Sequence, residues 1–261
     1  MICAGIDAGS RTMKVVLLDA DRLELLAAEA VDQGVQQNAL AVQVLDRLLT
    51  WRGLRREDVG RVVATGYGRK LIEIADERVT EITCHACGVR QTAPEARTVI
   101  DIGGQDSKLI WLGAEGVVSE FAMNDRCAAG TGRFLEVLAV RLGVRLDCLG
   151  ELSARSRAPA QISSMCVVFA ETEIIGLLAS GARPEDIVAG VQASIATRVA
   201  AMASHAMRPP IVFSGGVAMV PGMAAALSTA LGGPVTVVPQ PQMTGALGAA
   251  LLAARRSRPI A

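Results

Sequence analysis

Ile6-Asp7-Ala8-Gly9-Ser10, running on through Lys14 to Leu18, is restated later in the chain by Ile100-Asp101-Ile102-Gly103-Gly104, through Lys108 to Leu112. Asp, Gly and Lys fall at the same offsets in both copies, and apolar residues follow in each. Each copy predicts a strand, a tight turn and a second strand, with Asp closing the apolar run and Gly in the turn. A single copy reads better as an ordinary hairpin with a polar turn, since Asp and Gly are routine there. Two copies in register instead predict two similar half-domains facing one shared cleft.

In such turns Gly9 and Ser10, and likewise Gly103 and Gly104, let backbone N–H groups approach an anion, because little or no side chain blocks it. Asp7 and Asp101 would repel a bare triphosphate, so they suit the site only with Mg²⁺ or its water shell between. The combination predicts a clamp for ATP or ADP. Gly215 and Gly216, after the short apolar run Ile211 to Phe213, offer flat backbone for an adenosine to lie against; alone they read as a plain strand-to-helix turn. No Gly-x-x-x-x-Gly-Lys-Ser/Thr sequence occurs, which excludes a P-loop enzyme.

The 261 residues are 51% hydrophobic but only 3% aromatic, so the core is built from Ala, Val, Leu and Ile. Net charge is zero and Lys and Arg are scattered, which excludes a nucleic-acid footprint. No run approaches a membrane span, and Asp7 interrupts the first apolar stretch, so neither a membrane segment nor a signal peptide is expected and the chain is expected in the cytoplasm. Six cysteines in that compartment read as free thiols, metal ligands or redox groups rather than disulfides.

Pattern and punctuation predict α/β alternation. Helices are expected at 37–52, 71–77, 84–91, 134–142, 169–180, 184–207, 221–231 and 245–256, and further strands at 62–65, 211–213 and 235–238. The restart at Thr98 marks a lobe boundary. The expected domains are 1–97, completed by the C-terminal helix 245–261, and 98–244.

Cys127 lies in Met123-Asn124-Asp125-Arg126-Cys127-Ala128-Ala129-Gly130-Thr131-Gly132, and Cys166 in Ser163-Ser164-Met165-Cys166-Val167-Val168-Phe169. Both precede predicted helices, where the dipole favours a thiolate and free N–H groups can reach cluster sulfurs. Two such ligands do not complete a four-iron cluster, but a two-fold dimer supplies four. The alternative is a pair of small buried hydrophobes. Cys84-His85-Ala86-Cys87 has metal-pair or redox-pair spacing but no matching second pair. Cys3 and Cys148 read as core or incidental residues, and His205 as a packed or surface residue late in a helix.

These segments, together with Ala64-Thr65-Gly66-Tyr67-Gly68-Arg69, Gly215-Gly216-Val217 and Gly245-Ala246-Leu247-Gly248, resemble the activator component of 2-hydroxyacyl-CoA dehydratases, within a wider set that includes benzoyl-CoA reductase ATPase subunits. The resemblance runs over nearly the whole chain and is most specific around Cys127. It implies a duplicated α/β ATPase fold of the actin, Hsp70 and sugar-kinase (ribonuclease H-like) type with a central nucleotide cleft. It also implies a homodimer sharing one [4Fe-4S] cluster through Cys127 and Cys166. Asp7 and Asp101 would handle Mg²⁺ and its waters, and Gln105 or Asp106 the attacking water. Gly9, Ser10, Lys14, Gly103, Gly104, Gly132, Gly215 and Gly216 would hold the nucleotide. ATP hydrolysis would then drive one electron, received from ferredoxin or flavodoxin, to a dehydratase or reductase with its own iron-sulfur centre.

Three further readings stand beside this one. The partner is a benzoyl-CoA reductase or double-cubane-cluster system; the chain is a small-molecule (amino sugar) kinase of the same fold, with no use for Cys127 or Cys166; or it is a non-enzymatic cluster protein that senses redox state.

Overall fold

The first apolar run forms strand β1 (Ile2–Ala8), and the turn after it returns the chain as β2 (Thr12–Asp19), antiparallel, with Asp7 opposite Lys14. The remaining strands are β3 (Glu24–Asp32), β4 (Val59–Thr65), β5 (Glu77–Arg78), β6 (Thr98–Ile102), β7 (Ser107–Leu112), β8 (Val118–Asn124), β9 (Ile211–Ser214) and β10 (Val235–Val237). The helices are α1 (Gln37–Trp51), α2 (Glu81–Thr92), α3 (Gly132–Leu142), α4 (Leu149–Ala154), α5 (Val167–Ala179), α6 (Pro184–Ala201), α7 (Met223–Leu231) and α8 (Thr244–Ser257). This computed structural model describes residues 1–163 and 166–257. Ser164 and Met165 of the Cys166 motif, and 258–261 of the expected completing segment, lie outside the described residues. Among the described residues no helix is long and apolar enough to cross a membrane.

The two sheets repeat one plan. Their orders are β3-β2-β1-β4-β5 and, written in the same sense, β8-β7-β6-β9-β10. In each, the hairpin's first strand pairs antiparallel with the second and parallel with the strand that follows in the list. The chain divides into two units. The first comprises Met1–Glu95, Gly113–Val118 and the segment from Met243 onward; the second comprises Ala96–Leu112 and Ser119–Gln242.

Within the first unit, alternation along β1 sends Ala4, Ile6 and Ala8 into a core with Val44, Leu45 and Leu48 of α1. Cys3 faces the opposite side, where Val16, Leu18 and Val63 meet the Ala-rich face of α8. Asp7 shares the parity of Cys3 and therefore faces α8. Gly5 lies between them, and a Cβ there would stand 2.0 Å from Ala246 O and 2.4 Å from Ala250 N. The strand and the helix backbone are in contact, and only glycine permits it. The second unit packs α3, α5, α6 and α7 around Ile100, Trp111, Phe134 and Phe213.

Two expected helices differ. Residues 71–77 form no α-helix: a single 3₁₀ turn, Arg69–Leu71, is followed by irregular chain that leads into β5 at Glu77. There Asn38 Oδ1 accepts from Glu73 N and Arg78 donates to Ile72 O, so side chains satisfy two groups a helix would pair, while the Asp76 carboxylate ties the segment to β4 by accepting from Val62 N. The helix opened by Pro184 ends at Ala201 rather than Met207. The helix closes in a turn at Met202, whose N–H binds Val199 O and Ala200 O, and Thr98 Oγ1 then ties the following chain to β6 by binding Arg208 N and O at 2.9 Å. His205 is therefore not helical; it stacks on Trp111, ring centroids 4.6 Å apart. Strands β3 and β8 were not anticipated.

Gly5→Ala is expected to destabilise the protein by about 1–3 kcal/mol through overpacking against α8. Urea unfolding checks this: the midpoint falls at unchanged slope.

Candidate active site and cysteine sites

In the first hairpin Gly9 N donates to Thr12 O at 3.1 Å and closes the turn, while Gln33 Nε2 holds Gly9 O at 2.8 Å. Asp7 is buried at the end of β1, and Lys14 Nζ lies 3.1 Å from its Oδ2. The second hairpin repeats this. Gly103 N donates to Asp106 O at 2.9 Å. Asp101 and Lys108 are each only 2% exposed, and Lys108 Nζ stands 3.4 Å from Asp101 Oδ2 and 2.7 Å from Asp106 Oδ2. Ser214 Oγ donates to Asp101 Oδ1 at 2.9 Å. Asp106 is thus drawn back onto the turn by Lys108, whereas Gln105 is exposed at its tip.

The start of α3 docks on this second turn. Gly132 N donates to Gly103 O and Arg133 N to Gly104 O, both at 2.9 Å, and Thr131 Oγ1 donates to Gly104 O at 3.0 Å. A Cβ on Gly132 would stand 3.1 Å from Gly103 O and 3.1 Å from Val217 Cγ2. Gly215 has φ of +87°, and a Cβ there would lie 2.3 Å from Ile102 O. Gly216 is exposed and opens a 3₁₀ turn, Gly216–Met219, rather than an α-helix directly. The second unit therefore gathers Asp101, Gly103, Gly104, Gln105, Asp106, Gly132, Gly215 and Gly216, and the first gathers Asp7, Gly9, Ser10 and Lys14. Ser214, Thr131 and Lys108 join the site without having been assigned to it, although the register of Lys108 with Lys14 already carried the signal for one of them.

Among the described residues the six cysteines form no disulfide, and they differ in burial. Cys3, Cys84 and Cys87 are buried, and burial pushes the Cys84 thiol up to about 12. A protonated, sealed thiol neither ligates metal nor exchanges disulfides readily, so Cys84-His85-Ala86-Cys87 is core. His85 Nδ1 pairs with Thr244 Oγ1 at 2.9 Å. Cys127 and Cys166 are more open, half-buried and exposed respectively. Cys166 caps α5, its carbonyl accepting from Ala170 N at 2.8 Å. Cys127 does not sit at the start of α3 itself; it precedes a 3₁₀ turn, Ala128–Gly130, because Asn124 holds its peptide from both sides (Cys127 N to Asn124 Oδ1 3.1 Å, Asn124 Nδ2 to Cys127 O 2.8 Å). Beside Cys166, Val168 and Phe169 of α5 are 67% and 69% exposed. Among the described residues no group of three or more His, Cys, Asp or Glu gathers as for a metal ion.

Against known proteins, the BadF/BadG/BcrA/BcrD ATPase family matches residues 4–253. The chain is 45% identical over 254 residues to the activator of lactoyl-CoA dehydratase of Anaerotignum propionicum, covering 97% of each. It superposes with TM-score 0.91 and 42% identity on the activator of the 2-hydroxyisocaproyl-CoA dehydratase from Clostridium difficile with bound ADPNP, covering 98% of this chain and 95% of that one. The ROK hexokinase from Thermus thermophilus, 15% identical with TM-score 0.51 over 98% of this chain and 99% of that one, shares the fold alone. The fold is the actin, Hsp70 and sugar-kinase type expected.

Lys108→Met leaves a buried carboxylate without its cation and is expected to cost about 3–5 kcal/mol. Lys14→Met should cost less, since the Lys14 side chain is 15% exposed and water can reach it; paired urea melts check the order. Burial both seals Cys84 and holds its thiol protonated, so iodoacetamide should label exposed Cys148 quickly and Cys84 only after unfolding, as read by peptide mass mapping.

Proposed function

As a member of the BadF/BadG/BcrA/BcrD ATPase family, the chain is, we propose, an ATP-hydrolysing one-electron donor that activates a 2-hydroxyacyl-CoA dehydratase-type partner carrying its own iron-sulfur centre. The observation that carries this reading is the hydrogen-bonded path from the second nucleotide turn to Cys127. Gly103 and Gly104 carbonyls take Gly132 N, Arg133 N and the Thr131 hydroxyl, and the 3₁₀ turn between Thr131 and Cys127 is short. A phosphate that displaces this turn displaces the Cys127 segment with it. ATP hydrolysis would thereby bias a two-state element at the cysteines.

Within each turn the first glycine's N–H is committed to closing the loop, so phosphate donors fall to the next residues, Ser10 and Gly104. Lys14 keeps Asp7 in place. Gly215 and Gly216 present backbone to adenosine, and Gly132 keeps the start of α3 against the turn. Asp7 and Asp101 are the carboxylates for Mg²⁺ and its waters, which supplies neutralising charge when bound. Gln105, exposed where Asp106 is engaged by Lys108, is the better placed of the two to orient the attacking water. The relative solved with bound ADPNP supports the nucleotide assignment.

Cys127 and Cys166 fit a cluster. They are soft thiol donors outside the sealed core, and each chain offers two of the four ligands required. A second copy supplies the others, and the uncovered Val168 and Phe169 beside Cys166 suit burial against it. When bound, the [4Fe-4S] cluster supplies the transferable electron. Asn124 fixes the Cys127 peptide, and the α5 N-terminus orients Cys166. Ferredoxin or flavodoxin is the proposed reductant and the cytoplasm the proposed compartment.

Anaerobic purification with iron and sulfide analysis tests this. About two irons per chain are expected for a four-iron cluster shared by two copies, with an EPR spectrum that changes on adding ATP. Cys127→Ala and Cys166→Ala should lose the iron and keep nucleotide binding. Full iron retention in both variants rejects the assignment, and iron-free wild type with sugar phosphorylation favours the kinase.

A further inference from the structure

The Cys84-His85-Ala86-Cys87 motif leaves one residue unexplained once its thiols are assigned to the core. His85 is only 6% exposed in the middle of α2, among positions filled by Cys84, Ala86, Cys87 and Val89. A polar ring in such a place needs partners, because burying it without them costs free energy that an apolar residue would not.

Helices α2 and α8 touch backbone to backbone: a Cβ on Gly248 would lie 1.7 Å from Cys84 O, and one on Gly88 2.0 Å from Thr244 O. With α8 in the same kind of contact with β1 at Gly5, the three elements meet backbone to backbone at Gly5, Gly88 and Gly248. His85 is set among them. Its Nδ1 meets Thr244 Oγ1 at 2.9 Å, and its other edge comes to the next residue, Gly245. A Cβ on Gly245 would stand 3.3 Å from both His85 Cε1 and Nε2 and 3.2 Å from Asp7 Oδ2. Imidazole and carboxylate thus close on one point, at the only residue type that leaves room for both.

We propose that His85 is a positioning residue for Asp7: through the Thr244–Gly245 start of α8 it fixes the direction in which the Asp7 carboxylate presents itself to Mg²⁺. The proposal rests on the reading of this chain as an Mg²⁺-dependent ATPase. Groups that orient a metal's ligands commonly change metal affinity or activity by about 10–100-fold when removed.

A merely structural histidine would tie α2 to α8 through Nδ1, and His85→Asn distinguishes the two roles. The shorter amide reproduces the Nδ1 contact to Thr244 but removes the ring edge that lies against Gly245. ADP binding to the full chain is measured by calorimetry with and without Mg²⁺, beside kcat and KM for ATP hydrolysis. Wild type should bind MgADP more tightly than ADP. In His85→Asn, metal-free ADP binding and melting should stay near wild type, the gain on adding Mg²⁺ should shrink about tenfold or more, and kcat should fall more than KM rises. An undiminished Mg²⁺ gain overturns the proposal and leaves the ATPase reading standing. Wild type that binds no nucleotide overturns that reading and the proposal together. Thr244→Val, which removes the hydroxyl that holds the ring by Nδ1 and adds no atom beside Asp7, carries the same test should His85→Asn fail to fold: a reduced Mg²⁺ gain supports the proposal, and a wild-type gain overturns it.

Discussion

A carboxylate buried at the end of a core strand must have its charge answered, and the whole arrangement of this chain follows from how that is done twice. Asp7 and Asp101 stand where their strands run out, and in both hairpins the lysine directly opposite in the antiparallel register provides the countercharge. Removing either ion from water costs several kcal/mol, recovered only with close approach and further hydrogen bonds. The second copy meets that condition more fully, since Ser214 and Asp106 complete the surroundings of Asp101 and Lys108. The first copy keeps its lysine nearer water and brings Asp7 toward α8. The same strand-turn-strand device therefore serves two chemically different surroundings.

Much of this was legible because the hairpin signal is local. Asp, Gly and Lys recur at fixed offsets, so strand, turn and pairing register could be read from either copy and checked against the other. Strands β3 and β8 escaped notice because each lies at an edge of its sheet. Edge strands carry charge, here Glu24, Glu29 and Asp32 in β3 and Glu120 in β8, and with almost nothing buried along either strand no apolar alternation is imposed on the sequence. Residues 71–77 failed as a helix for the reverse reason: the periodicity was present, but Asn38 and Arg78 took the backbone partners and Asp76 tied the segment to β4. The partners that complete the site lie far off in sequence. Ser214 reaches Asp101 across 113 residues and His85 reaches Thr244 across 159, and no window of local pattern holds such pairs.

The cysteines show how little spacing says without surroundings. Cys84 and Cys87 have the more suggestive spacing and sit sealed between two helices. Cys127 and Cys166 have no characteristic spacing, yet they stand outside the core, one held by an Asn bracket and the other opening an apolar, largely uncovered helix.

The last helix completes the first sheet, covering the α8-facing side of β1 while belonging to the far end of the chain. A growing polypeptide therefore meets its two units out of order. The second unit has all its strands and helices once Gln242 has emerged, whereas the first, though synthesised earlier, keeps an uncovered apolar face until α8 leaves the ribosome. Until then Cys3, Val16, Leu18 and Val63 lack the Ala-rich face that covers them, and the Asp7 hairpin lacks the Gly245 backbone beside its carboxylate.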